Sequence, residues 1–161
     1  MITNDQLIDG FSLNIRLIKL HTVGLSHAES LIQTPYNINC MNWILGHIAV
    51  SRDSVMGLIG AKLLLSEGET LRYKTESEPI IEDGPHVVQL EKLLEVLSTG
   101  QSKIAAALEA LSEADLVEEI QVGERTMPLG TRLYGFYFHD TYHTGQIDLL
   151  RQVAGANDKV V

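Results

Sequence analysis

The sequence predicts an all-α fold, built from four long amphipathic helices in a single domain that covers residues 1–161. The 161 residues are enough to bury a core without disulfides or other staples. Apolar residues recur at intervals of three and four in four separate stretches, which is the spacing of one helix face. A short segment near residues 118–127 alternates about Gly123 instead, so we expect a minor extended or hairpin-like segment there.

The first helix is predicted to begin near residue 3 and to end near residue 28. Thr3 or Asn4 can cap its start, because their side-chain oxygens accept hydrogen bonds from free backbone N–H groups. A connection follows, since Pro35 excludes the residue before it from helical backbone. The second helix is predicted over residues 40–65. The apolar residues of its inward stripe are Met41, Ile44, Leu45, Ile48, Val55, Leu58 and Ile59.

The second half of the chain supplies two more long helices. Residues 66–85 are polar and punctuated by Gly and Pro, which predicts a long connection. Pro85 suits the first position of a third helix, which can pass through Gly100 as a weak point. The final helix is predicted from Pro128 to about Ala154.

Two histidines on the final helix are the strongest candidates for a metal site. Its apolar stripe includes Leu133, Phe136 and Ile147, and His139 and His143 fall in the same stripe. Residues four apart are stacked one turn above the other, so both imidazoles should point toward the buried side. Buried imidazoles need partners, and one divalent cation would serve both. The alternatives are two surface histidines, or two core histidines that are each hydrogen-bonded to a carbonyl or carboxylate.

His47 on the second helix is the candidate for a third ligand. It lies three residues after Ile44 and directly before Ile48, so it borders or joins the buried face. Gly46 beside it has no side chain, which allows a neighbouring helix or a ligand to approach closely. The alternative is a lone core histidine that is satisfied by hydrogen bonds.

Composition and charge exclude several classes of function. Lys and Arg number 12 against 21 Asp and Glu, and the net charge of −9 repels phosphate backbones, so we expect no nucleic-acid partner. The single cysteine, Cys40, cannot form an internal disulfide and is predicted to be a small buried hydrophobe. The start of the chain lacks the pattern of a secretory signal, and no apolar run is long enough to span a bilayer. We therefore expect a cytoplasmic protein with no membrane partner.

Two further histidines, His21 and His27, fall near the predicted end of the first helix. The partial negative charge at a helix C-terminus favours an imidazolium there. We expect both to lie on the surface or at the helix end, away from any metal.

The chain resembles the DinB/YfiT-like superfamily, the damage-inducible DinB-type metal-binding proteins. The resemblance rests on residues 42–48, Asn-Trp-Ile-Leu-Gly-His-Ile, and on residues 139–147, which match the pattern H-x-x-x-H-x-G-Q-I. It implies a four-helix bundle with one long crossover connection, and a divalent metal ion, zinc or nickel above others, held by His47, His139 and His143. Characterised relatives include thiol-dependent transferases and isomerases that use bacillithiol or mycothiol, and relatives commonly form homodimers.

A site with three imidazole ligands predicts a catalytic metal ion, because a structural zinc site is usually closed by four protein ligands. The hypothesis is a metal-dependent enzyme, either a thiol S-transferase or a hydrolase, in which a thiolate or water activated by the metal attacks a small electrophile. The partner would then be a small-molecule substrate, with a low-molecular-weight thiol as a candidate cosubstrate. Two alternatives stay open: a non-catalytic, metal-stabilised stress-response or binding module, and a metal-free helical protein whose histidines line a polar cavity. No catalytic residue is assigned.

Overall fold

Four long helices form the body of the structure, a computed structural model that describes residues 2–160. The elements in chain order are α1 (Asn4–Thr22), α2 (His27–Ser30), α3 (Met41–Leu58), α4 (Glu67–Tyr73), α5 (Leu90–Glu109), α6 (Glu113–Val117), β1 (Glu119–Val122), β2 (Arg125–Pro128) and α7 (Leu129–Val153). The predicted all-α fold with one minor extended segment is confirmed. That segment is the antiparallel pair of β1 and β2, in which Val122 lies opposite Arg125.

Local signals explain where the helices begin and end. Four of them start with a reciprocal capping box, in which a Ser or Thr side chain and the residue three positions later bond each other's backbone N–H groups. The cap residues are Thr3, Ser26, Ser66 and Ser112. The first helix ends at Thr22 and not near residue 28, because Gly24 takes a positive φ of 78° and Ser26 caps a new helix.

The second and third long helices are also shorter than the sequence predicts. α3 ends at Leu58, before Gly60 with its positive φ of 72°. α5 begins at Leu90, several residues after Pro85. It passes through Gly100, as predicted, and Gly100 is buried against Leu64 and Met56.

The long helices sit at the corners of a bundle. α1 packs against α5 and α7, and α3 packs against the same two helices, so that α1 and α3 lie at opposite corners. The long connection of residues 59–89 joins the neighbouring helices α3 and α5. It carries α4 back against α3, which places Tyr73 beside the middle of that helix.

Two groups of buried apolar side chains fill the interior. The apolar cluster, as we name it, consists of Leu7, Phe11, Val55, Met56, Ile104, Leu108, Leu116, Leu129 and Leu133. The second group surrounds the first half of α3 and includes Ile44, Leu45, Ile48, Tyr73, Leu93 and Ile147. Within residues 2–160, no helix combines the length and the apolar character that a membrane span needs.

Candidate metal centre

Three imidazoles meet where α3 packs against α7. His47 comes from α3 and is buried, while His139 and His143 lie one turn apart on α7 and are half-buried. The Nε2 atoms of His47 and His139 are 3.1 Å apart. One ring nitrogen from each of the three histidines lies within 4.8 Å of the other two. The structure therefore brings together the three histidines that the sequence singled out.

Hydrogen bonds fix the proton on two of these rings. The Nδ1 atom of His47 lies 2.9 Å from the carbonyl oxygen of Tyr73, which can only accept. The Nδ1 atom of His143 lies 2.7 Å from the amide oxygen of Gln146. Each ring thus carries its proton on Nδ1 and keeps a lone pair on Nε2, the arrangement that a metal-ligating histidine needs.

Burial keeps the same two imidazoles neutral. Desolvation is the main cause that lowers the pKa of His143 to about 4; the nearby His139 and His47 rings act in the same direction, and the hydrogen bond to the Gln146 oxygen opposes the shift. Desolvation also lowers the pKa of His47, and its hydrogen bond to the Tyr73 carbonyl opposes this shift. Neutral imidazoles are the form that binds a metal ion.

The three residues fit a divalent cation. Two ligands of a tetrahedral ion with Zn–N bonds of about 2.0–2.1 Å are separated by about 3.3 Å. The distance of 3.1 Å between the Nε2 atoms of His47 and His139 is close to that value. Three protein ligands also leave at least one coordination position for a water or a substrate, so the set is suited to an open site.

A buried ion pair supports the cluster from behind. Asp140 is fully buried, and its Oδ2 atom accepts a hydrogen bond of 2.8 Å from Nε of Arg52 on α3. Its other oxygen lies 3.7 Å from Nδ1 of His139, and neither of these two atoms has a hydrogen-bond partner among the described residues. Arg52 also bonds Gln101 and the Phe11 carbonyl. Asp140 therefore ties the ligand helix α7 to three other elements of the bundle.

Two aromatic residues hold His47, Trp43 through its ring and Tyr73 through its backbone carbonyl. Trp43, one turn earlier on α3, stacks on it at 4.7 Å, and its indole N–H donates to Ser77. Tyr73 reaches the helix because Gly46 has no side chain: a Cβ atom there would lie 2.1 Å from the tyrosine ring. The Tyr73 hydroxyl donates to Asn42 and accepts from the Val88 N–H, and burial raises its pKa to about 12. The close approach that Gly46 predicts is therefore made by Tyr73.

A cavity of about 330 Å³, which we call the histidine cavity, opens beside the cluster. Its lining residues are His47, Val50, Ser51, Ser54, Thr75, Arg132, Gly135, Phe136 and His139. The cavity runs along α3 and α7 from the histidines toward the start of α7. A small molecule in it would contact His47 and His139 directly.

The other candidates from the sequence lie elsewhere. Cys40 is fully buried, and burial raises the pKa of its thiol, as expected for a small core residue. His21 is not on the surface: it is buried under α7, and Arg151 bonds its carbonyl oxygen. His27 begins α2 and accepts the Leu90 N–H on Nδ1. Neither His21 nor His27 joins the cluster.

Several residues of the centre were not assigned from the sequence. Gln146 follows His143 by three positions, a spacing at which helix side chains meet, so its role was open to prediction. Arg52 falls in the apolar stripe of α3 between Ile48 and Val55, which signals a buried partner of opposite charge. Tyr73 gave no signal, because it acts through its backbone carbonyl.

Comparison with known proteins identifies relatives of this fold. The family model of the DinB superfamily matches residues 22–147. A solved structure of a conserved protein from Enterococcus faecalis superposes with a TM-score of 0.76 at 16% sequence identity, over 98% of this chain and 99% of that chain. At this identity the likeness concerns the fold alone. No curated protein matches the chain.

Proposed function

The chain belongs to the DinB superfamily, and from this membership and the geometry of the centre we propose that it is a divalent-metal-dependent enzyme. The reaction is the transfer of a thiol sulfur to a small electrophile, or the hydrolysis of such an electrophile. One observation carries the proposal: imidazoles from two helices, two of them with a free Nε2 lone pair, bring one ring nitrogen each within 4.8 Å of the other two, beside a cavity.

His47, His139 and His143 would hold the ion. A divalent ion bound there would supply Lewis acidity, which lowers the pKa of a water or thiol toward neutral pH. Imidazole ligands suit zinc and nickel, which we propose as the metals. In the transfer reaction the sulfur bonds to the electrophilic carbon, the leaving group departs with its electron pair, and the thiol proton passes to water.

The surrounding residues position the ligands and shield them. Tyr73 and Gln146 hold the Nδ1 protons of their histidines and so fix both rings in the ligating tautomer. Trp43 covers one face of His47 and excludes water from that side. The histidine cavity supplies the remaining side, from which a substrate can reach the cluster.

The test compares metal-stripped protein, reloaded protein and the variant His143→Ala. After reloading we expect about one ion per chain. The reloaded protein should also accelerate one of two reactions above its uncatalysed rate: S-alkylation of free cysteine by monobromobimane, or hydrolysis of 4-nitrophenyl acetate. Stripping or His143→Ala should abolish the metal and the activity together. His86→Ala, which removes an exposed histidine outside the cluster, should change neither. Activity that persists in the stripped protein would reject the proposal.

The ion pair behind the cluster favours a second candidate, a non-catalytic module in which the ion only fastens α3 to α7. In that case chelation lowers the melting temperature, while both assays give the uncatalysed rate with every metal tried. A rate increase that depends on the metal would exclude this candidate.

A further inference from the structure

The histidine cavity differs in charge from the rest of the chain. Asp and Glu outnumber Lys and Arg by 21 to 12 in the whole sequence. The nine residues that line the cavity, however, include one guanidinium, that of Arg132, and no carboxylate. A cation at the histidines would add to this positive charge. The cavity therefore attracts an anion, although the protein as a whole repels one.

Arg132 is held in place while its hydrogen-bond donors stay free. Its guanidinium lies over the ring of Phe136, 4.2 Å from the ring centre. Within residues 2–160 it has no hydrogen bond or ion pair, whereas Arg52 and Arg151 each bond an acid and at least one backbone carbonyl. A guanidinium that is stacked but unpaired is prepared for a carboxylate, which it can bind through two parallel N–H groups.

A second polar group of the cavity lining has no hydrogen-bond partner among the described residues. Ser51 follows His47 by one turn of α3, and its side chain is more than nine-tenths buried. Its Oγ atom has no hydrogen-bond partner among the described residues, although it lines the cavity. A buried hydroxyl without a partner is costly, which marks this wall of the cavity as polar.

Gly135 gives the cavity its length. It lies between Arg132 and His139 on the same side of α7, and a Cβ atom added there would meet no atom within 4 Å. The seven positions from Arg132 to His139 correspond to about 10.5 Å along the helix axis. The open wall at Gly135 therefore leaves room for a ligand that spans from the histidines to the guanidinium.

Resting on the function proposed above, we infer that the histidine cavity binds a small carboxylate-bearing molecule, with its reacting group at His47 and His139 and its carboxylate on Arg132. A carboxylate is favoured over a phosphate because one guanidinium balances one negative charge, and no lysine lines the cavity. Arg132 is then the residue that determines specificity in the reaction.

Calorimetric titration of the zinc-loaded protein tests this inference. The probes are 3-mercaptopropionate and 6-mercaptohexanoate, each paired with the alcohol of the same length, so that the members of a pair differ only in the carboxylate. For at least one of the two chain lengths, we expect the acid to bind roughly tenfold more tightly than its alcohol, or better. A charge-assisted hydrogen bond contributes about this factor to affinity. Arg132→Gln should remove this preference, and Arg132→Lys should keep part of it. Arg16→Gln deletes the same charge on the exposed face of α1 and should leave the preference unchanged.

The outcomes separate the inference from the proposed function. If neither acids nor alcohols bind the zinc-loaded protein, the proposed thiol chemistry fails and the inference fails with it. If acids and alcohols bind equally at both lengths, or if the preference survives Arg132→Gln, the thiol site stands and the inference is wrong.

A second pair of variants tests the shape of the cavity independently of charge. Gly135→Leu should place a side chain in the histidine cavity and weaken binding of the longer acid at least tenfold. Gly57→Leu makes the same change at an exposed position of α3 where an added Cβ also meets nothing, and it should leave binding unchanged. Thermal melts should show that both variants remain folded. Equal affinity in the two variants would contradict the proposed position of the ligand.

Discussion

The apolar cluster and the polar layer beside it both lie in the interior of the bundle but for different reasons. In the apolar cluster Leu7, Phe11 and Leu108 are fully buried and contact hydrocarbon. The polar layer, by which we mean Arg52, Asp140 and the three histidines, is buried or half-buried between α3 and α7. Burying charges and imidazoles costs free energy, whereas burying apolar side chains does not. The contrast indicates that the apolar cluster stabilises the bundle and that the polar layer serves the site.

The substitution with the largest expected effect on the free energy of unfolding disrupts the polar layer. Asp140→Ala leaves the guanidinium of Arg52 buried without its carboxylate, and removal of one member of a buried pair costs roughly 3–5 kcal/mol. Urea denaturation of the stripped protein should show this loss in the free energy of unfolding. The double variant Arg52→Met/Asp140→Leu should recover most of it. A loss below about 1 kcal/mol for Asp140→Ala would mean that the pair is not desolvated as we describe.

A substitution in the apolar cluster should destabilise the fold without touching the site. Leu108→Ala empties a fully buried position on α5, and such changes cost about 2–5 kcal/mol. Metal analysis of the variant, under conditions where it stays folded, should still find one ion per chain. Loss of the metal from a folded Leu108→Ala protein would show that the two regions are coupled more closely than the structure indicates.

Metal loading should affect stability through the polar layer alone. At a free metal concentration a hundred times its Kd, binding to the folded state adds about 2.7 kcal/mol to the free energy of unfolding. We expect this gain in the unaltered protein and in Leu108→Ala, and no gain in His143→Ala. Chemical denaturation with and without zinc measures all three. An equal gain in His143→Ala would place the bound ion elsewhere.

The smallest expected effect concerns the orientation of a single ring. Gln146→Ala removes the acceptor of the His143 Nδ1 proton, and loss of such a supporting bond weakens metal affinity roughly 10–100-fold. Competition titration with a chromophoric chelator measures the change in Kd. Gln152→Ala, at an exposed position on the same helix, is the matched control. An unchanged Kd for Gln146→Ala would show that packing alone orients His143.

Periodicity in the sequence predicted most of the fold, because each long helix repeats its apolar stripe over several turns. α4 was read as part of a connection, since its seven residues, Glu67–Tyr73, offer too few repeats for a stripe. Its start was visible only as the capping pair Ser66 and Glu69. His21 lies at the end of α1, one of the two places expected, but it is buried, and its carbonyl oxygen accepts from Arg151, which lies 130 positions away in the chain.

In the candidate site, too, local spacing could be read from the sequence and tertiary packing could not. His139 and His143 share a face through local spacing, and His47 borders a stripe, so all three could be named from sequence. The role of Asp140 could not be predicted in this way, because a residue next to His139 in the sequence points to a different side of the helix. Its partner on that side, Arg52, reaches Asp140 only because α3 packs against α7. The stripe of α3 could show that Arg52 is buried, but not that Asp140 is its partner.

The most direct test of the central claim is anomalous diffraction at the zinc absorption edge from crystals of the zinc-loaded protein. The claim predicts one strong peak per chain about 2.0–2.1 Å from the Nε2 atoms of His47, His139 and His143. It also predicts that the peak is missing from crystals of His143→Ala grown under the same conditions. A zinc peak at other residues, or three imidazoles with no peak between them, would contradict it.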